Sequence, residues 1–198
     1  LVRGVRVPVV DLVNEAPELP LPRVVADNRA IGAMAAGYLM DIGYEHLAFQ
    51  RMFRAHVVDD RMAGFRDAVL QEGNRFHAVD FLSTPRSLNP HTDMAPWLAE
   101  ALRELPKPLG VMMHHDGESM MTFMACERAG LRIPEDVAVL GVDNNELRCE
   151  LGPVGLSSID RNLRRHGYEA AALLDRLMQG EPPPAQPILI PPKEVVVR

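Results

Sequence analysis

Cysteine is scarce in this chain: two in 198 residues, Cys126 and Cys149. They form neither a disulfide framework nor a CxxC pair, which suits a reducing compartment. No apolar run approaches the ~20 residues that span a bilayer, and no stretch reads as a secretion signal. An excess of basic charge is also missing. Lys and Arg number 21 against 27 Asp and Glu, a net charge of −6, so the overall field does not suit a bare nucleic-acid binder. No GxGxxG turn, Walker loop or GxSxG elbow is present, which removes the commonest signatures of dinucleotide binding, phosphate gripping and serine hydrolysis. Neither an internal repeat nor a low-complexity segment occurs.

What remains is an ordinary globular composition, 47% hydrophobic and 24% charged, long enough for one generous domain or two small lobes. The chain opens "LVRGVRVPVV" without an initiating Met and closes on "EVVVR". It is expected to be a piece of a longer protein. Residues 5–10 read as a strand, with Pro8 suggesting an edge or strand end, and 23–26 as a short extended piece. "DNRAIGAMAAGYLMDIG" is a helix: Ile31, Met34, Ala35, Tyr38, Leu39 and Ile42 share one face at a period of about 3.6 residues, with Asp27 as N-cap and Gly43 as the stop. Strands over 46–50, 78–82, 109–113 and 137–142 then alternate with helices in "DDRMAGFRDAVLQEG" and over 93–104, 117–129 and 163–178. Residues 188–190 and 195–197 are short extended pieces. This alternation predicts an α/β fold built on an open, doubly wound parallel sheet.

In such sheets a ligand sits at the carboxyl ends of the strands, so the polar residues that follow each strand are the ones to read. Arg61 follows the strand at 46–50, His114–His115–Asp116 the strand at 109–113, and Asp143–Asn144–Asn145–Glu146 the strand at 137–142. Each has a plainer role. Asp143 could cap an Asx-turn; Asp116 could cap the helix at Gly117; Arg61 could pair on the surface with Asp59 or Asp60, contributing little. The two histidines lack a Cys/His set at metal-ligand spacing, so no metal is expected. Trp97 lies on an apolar helical stripe and is read as core packing rather than a sugar-stacking platform. Met112, Met113, Met120, Met121 and Met124 are read as core filling. Asp116 and Asp143 could in principle do glycosidic acid–base work, though nothing in the sequence sets their separation.

The order of "VVADNRAIGAMAAGYLMDIGY", "DDRMAGFRDAV", "LGVMMHHD", "GLRIPEDVAVLGVDNNE", "GLSSID" and "GYEAAALLDRLMQGEPP" resembles the effector domains of the lactose/galactose-repressor family, which have a periplasmic-binding-protein-like fold. "LPKPLGVM", "GVDNNEL", "GLSSID" and "ILIPP" are most similar to xylose-operon regulators. The resemblance implies two α/β lobes joined by three crossings, near 26–27, near 158–160 and after the 163–178 helix. Residues 1–26 and 160–180 would be a remnant of an incomplete first lobe. Residues 27–159 and 181–198 would form the second lobe. It implies that Arg61 and Asp143 bind sugar hydroxyls. Where relatives carry Asn-Asp, this chain has His115–Asp116, so only Asp116 carries over. Carboxylates paired with a guanidinium satisfy hydroxyls that both donate and accept, at roughly 1.5–3 kcal/mol per charge-assisted bond.

The expected function is therefore non-enzymatic: a sugar-sensing effector domain, with xylose the best guess, in a cytoplasmic, homodimeric transcription regulator that reaches operator DNA through a module absent from this chain. Arg61, Asp116, Asp143, His115 and Asn144 are the expected ligand contacts, with no catalytic residue, metal, cofactor or membrane partner. The competing readings are a periplasmic sugar-binding protein and an enzyme acting on sugars or nucleosides.

Overall fold

The computed structural model describes residues 7–83 and 93–198. Residues 5 and 6 of the expected first strand lie outside that range. Residues 7–10 are not in a strand, and Asp11 makes only an isolated bridge to Arg23.

Two sheets are present among the described residues. The larger has six strands in the order β3–β2–β4–β5–β6–β8: β2 (His46–Arg51), β3 (Arg75–Asp80), β4 (Leu109–Met113), β5 (Val137–Val142), β6 (Ser157–Asp160) and β8 (Glu194–Val196). All neighbours are parallel except β6 and β8. Strand alternation sends successive side chains to opposite faces. Leu47 and Phe49 of β2 join the cluster under α1 (Asn28–Asp41) and α2 (His56–Gln71). Ala48, between them, joins the cluster under α3 (Met94–Glu104) and α4 (Ser119–Ala129). Because both faces are covered, the inner strands read as near-continuous apolar runs. The doubly wound expectation holds.

Helix ends follow local chemistry. Asp27 caps α1, its side chain accepting from the Ala30 amide at 3.0 Å, and Gly130 closes α4 at φ +70°, a left-handed value that glycine tolerates. β3 begins at Arg75 and stops at Asp80, earlier than the pattern of 78–82 suggests. Asp80 ends it by accepting from the Leu82 amide and the Ser83 hydroxyl, which turns 81–83 into a short 3-10 segment. β6 and the short helix α5 (Glu146–Glu150) carry too few residues for a periodic signal, and neither was expected.

The smaller sheet pairs β1 (Val24–Ala26) in parallel with β7 (Ile188–Ile190). α6 (Leu163–Met178) packs on it through Ala170 and Leu173. The boundary therefore differs from the expectation that all of 181–198 lies with the larger body: β7 belongs with β1, and only β8 joins the large sheet. Pro191 and Pro192, which cannot donate to a ladder, separate the two strands. The three connections between the bodies lie side by side. The Asp27 amide donates to the Ile190 carbonyl, and the Lys193 amide to the Asp160 carbonyl, each at 2.8 Å.

Candidate functional site

The larger sheet switches direction between β2 and β4, the place where open α/β sheets form a crevice at their carboxyl edge. Arg61 bridges it. α1 and α2 approach closely enough that a Cβ on Gly32 would strike the Arg61 backbone and one on Gly64 the Arg29 backbone. That approach lays Arg61 against the start of α1. Its Nη2 and Nε donate to Asn28 Oδ1 at 2.6 and 3.2 Å, and Nη1 donates to the His114 carbonyl at the end of β4. The surface pairing with Asp59 or Asp60 does not occur; Asp59 pairs instead with Arg51. Burial leaves Arg61 3% exposed and lowers its pKa to about 10, while the nearby Asp143 carboxylate favours its charge.

Asp143 follows β5 directly, and its Oδ1 lies 2.8 Å from Arg161 Nε on the connection after β6. The two side chains are each 31% exposed, so the carboxylate is partly open to solvent. Asn144 is half-buried, with its Oδ1 accepting from Arg198 Nη2 at 2.8 Å. His115, also half-buried, caps the turn at 116–118 by accepting the Gly117 amide on Nδ1 at 2.7 Å. So His115, not Asp116, takes the capping role. Burial and then the neighbouring His114 ring lower the His115 pKa. Asp116, expected to face the ligand, is 1% exposed and turned beneath the β5–α5 loop. Its Oδ1 accepts from Ser158 Oγ at 2.7 Å and its Oδ2 from the Asn145 amide at 2.8 Å. A thiol contact from Cys149 at 3.6 Å adds to these. Burial is the main cause that raises its pKa. The separation of Asp116 from the cleft leaves no exposed carboxylate pair there with Asp143.

Behind the crevice a buried polar chain braces β4. Gln50 Nε2 donates to Glu118 Oε2 and Thr122 Oγ1 to Gln50 Oε1, both at 3.1 Å. His114 Nδ1 and Glu118 Oε1 sit 2.8 Å apart, a close pair not aligned as a hydrogen bond. Phe53, exposed, meets His114 edge-on at 5.9 Å. No group of three or more His, Cys, Asp or Glu able to hold a metal exists among the described residues.

Three residues at this site were not singled out from the sequence: Asn28, Ser158 and Arg161. Ser158 and Arg161 sit in and just after "SSID", the expected crossing, which was their only signal. A cleft of about 300 Å³ between the two bodies is lined by Asn28, Val57, Arg161 and His166 among others. A larger groove of about 500 Å³ lies on α4 and the loop after α5, with Met120, Phe123, Met124 and Val154 among its walls. It lacks the convergent polar groups that fix a small ligand.

Residues 36–198 match the periplasmic binding protein-like domain. The chain belongs to that family. It is 32% identical over 182 residues to the xylose operon regulatory protein of Escherichia coli K12, an alignment covering 90% of this chain and 46% of that protein. Among solved structures, the xylose-binding transcription activator xylR superposes with a TM-score of 0.85 at 31% identity, covering all of this chain and 53% of that one. A periplasmic binding protein/LacI transcriptional regulator from Alkaliphilus metalliredigens complexed with D-xylulofuranose shares the fold, with a TM-score of 0.72, 18% identity, and coverage of 98% of this chain and 70% of that one. The chain thus spans about half the length of the xylose regulators it matches. These relatives are transcription regulators.

Proposed function

We propose that this domain binds a pentose, xylose first among them, and passes the occupancy of its cleft to operator DNA through a module outside these 198 residues. The observation that carries the reading is the Asp143 carboxylate, half-exposed at a strand end and flanked by the Arg161 and Arg61 guanidinium groups. An acceptor-only group beside fixed donors suits hydroxyls that both donate and accept. Asp143, His115 and Asn144 are the proposed ligand contacts on the larger body, and the buried Arg61 supplies positive charge beside them. The smaller body belongs to a first lobe, and ligand closes the two about the three adjacent connections. A cytoplasmic homodimer fits a regulator that reads DNA. The neighbouring exposed apolar pairs Met120–Met124 and Leu147–Leu151 suit contact with a second copy.

The test is calorimetric titration of xylose, arabinose, ribose and a hexose control into the full chain. Saturable binding that prefers a pentose supports the reading. Absence of binding by every sugar, in a protein shown to be folded, overturns it.

A further inference from the structure

The loop that carries Asp143 is held in an unusual shape. Asp143 has φ +114° and Asn144 φ +51°. Two successive non-glycine residues at positive φ are strained and persist only where the surroundings over-determine them. Here three consecutive backbone amides are claimed from outside the loop. The Asp143 amide donates to the Ile159 carbonyl at 3.0 Å. The Asn144 amide donates to Ser158 Oγ at 3.0 Å. The Asn145 amide donates to Asp116 Oδ2 at 2.8 Å. The Ser158 hydroxyl in turn donates to Asp116 Oδ1 at 2.7 Å, so one serine and one carboxylate hold two of the three. Ser158 is fully buried and Asp116 nearly so. Gly141 leaves the space for that carboxylate: a Cβ there would run into Asp116 Oδ1.

We propose that Asp116 and Ser158 are positioning residues, which act on the ligand only by fixing the backbone that aims Asp143. The inference rests on the sugar-binding reading and deepens it. A carboxylate is the group the arrangement requires. It accepts on both oxygens at once, one from an amide and one from a hydroxyl, whereas the amide of an asparagine offers a single oxygen. The hydroxyl of Ser158 is likewise used in both directions, accepting from Asn144 and donating to Asp116.

The experiment uses the full chain with Asp116→Asn, Ser158→Ala, Asp143→Asn and the Asp116→Asn/Asp143→Asn pair. Amide hydrogen exchange without ligand comes first. Asn144 and Asn145 should lose protection in Asp116→Asn and in Ser158→Ala while the β2 and β4 amides keep theirs. Xylose titration comes second. Asp116→Asn should bind roughly tenfold more weakly, the order expected for one disturbed hydrogen bond to a charged group. It should add no further loss in the Asp143→Asn background. Multiplying losses in the double variant would mean that Asp116 meets the ligand itself, and unchanged exchange at Asn144 and Asn145 would mean that the pair does not hold the loop; either result overturns the inference. If Asp116→Asn does not fold, Ser158→Ala, which removes a single oxygen, reads the same loop. If the unmodified protein binds no sugar, the pentose reading fails, and the exchange data alone decide whether the pair holds the loop.

Discussion

Arg161 Nε stands 2.8 Å from Asp143 Oδ1, an ion pair that ties the end of β5 to the connection through which the chain leaves the larger body. Both partners are partly solvated, so the pair itself contributes on the order of 0–1 kcal/mol to folding. Its use is orientation. Arg161→Gln is expected to shift the unfolding free energy by less than about 1 kcal/mol and to weaken pentose binding roughly three- to tenfold. Denaturant melts and calorimetry on the same preparations separate the two effects. An Arg161→Gln protein that binds xylose as tightly as its parent would remove the orienting role.

Asp143→Asn keeps the shape of the side chain but removes its charge and exchanges one acceptor for a donor. A loss of roughly 2–3 kcal/mol of binding is expected, about 30- to 150-fold in affinity. Stability should change little, because the group lies at the cleft and not in the core. Unaltered affinity for every sugar tested would reduce Asp143 to a turn former.

The α1–α2 contact makes a separate prediction. A methyl group at position 64 meets the Arg29 backbone, which cannot move as a flexible side chain would. Gly64→Ala should therefore cost about 1–3 kcal/mol, as overpacking generally does. It should also weaken sugar binding by spreading the helices that hold Arg61 against Asn28. Gly37→Ala, on the same helix as Gly32 but with open space around its Cβ, is the control that should do neither.

Stability should depend on pH in a direction set by His115 and His77. Burial lowers both pKa values below the ordinary 6.5, and the neighbouring imidazole, His114 for the first and His46 for the second, adds to it. The unfolded chain then binds more protons than the folded one as pH drops below 6.5, so stability rises with pH up to that value and falls on acidification. Asp116 acts oppositely and lower. Its raised pKa favours the folded state at acid pH, and that contribution is lost as pH rises from 3.8 through its folded value. Urea midpoints measured without ligand between pH 5 and 7 should climb, and His77→Gln, remote from the cleft, should flatten part of the climb. An identical slope in that variant would mean that His77 titrates normally.

Trp97 is half-buried and stands edge-on to Phe81, with ring centroids 5.2 Å apart. Trp97→Ala should lower stability by about 2–4 kcal/mol, somewhat less than a fully buried aromatic, and leave sugar affinity within error. Lost binding with unchanged stability would assign the ring to the ligand instead.

Local pattern was enough for most of the large sheet. The runs at 109–113 and 137–142 are strands because both their faces are covered, and the helical stripe from Ile31 to Ile42 buries Ile31, Ala35 and Leu39 as its period requires. The methionines divided: Met112 and Met113 are fully buried, while Met120 and Met124 are more than half exposed. Met112 and Met113 lie on β4, an inner strand covered on both faces, whereas α4 turns Met120 and Met124 outward and Met121 toward the core. At the site, the place of Asp116 after a strand was legible, but its neighbours Ser158, Asn145 and Cys149 lie 42, 29 and 33 residues away.

The amino-acid sequence by itself determined the alternation of strands and helices, the parallel sheet and the edge at which polar residues gather, since these follow from periodicity, caps and the chirality of parallel connections. Tertiary structure alone decided which of those polar residues remain open to a ligand. Arg61 is buried against Asn28 because two glycines let the helices touch, Asp116 is spent on two backbone-holding bonds, and Asp143 keeps a half-exposed carboxylate because its amide and its neighbours' amides are held by β6 and by Asp116. A hydrogen-bonding group is free or committed only when distant chain segments meet around it, and no local pattern carries that information.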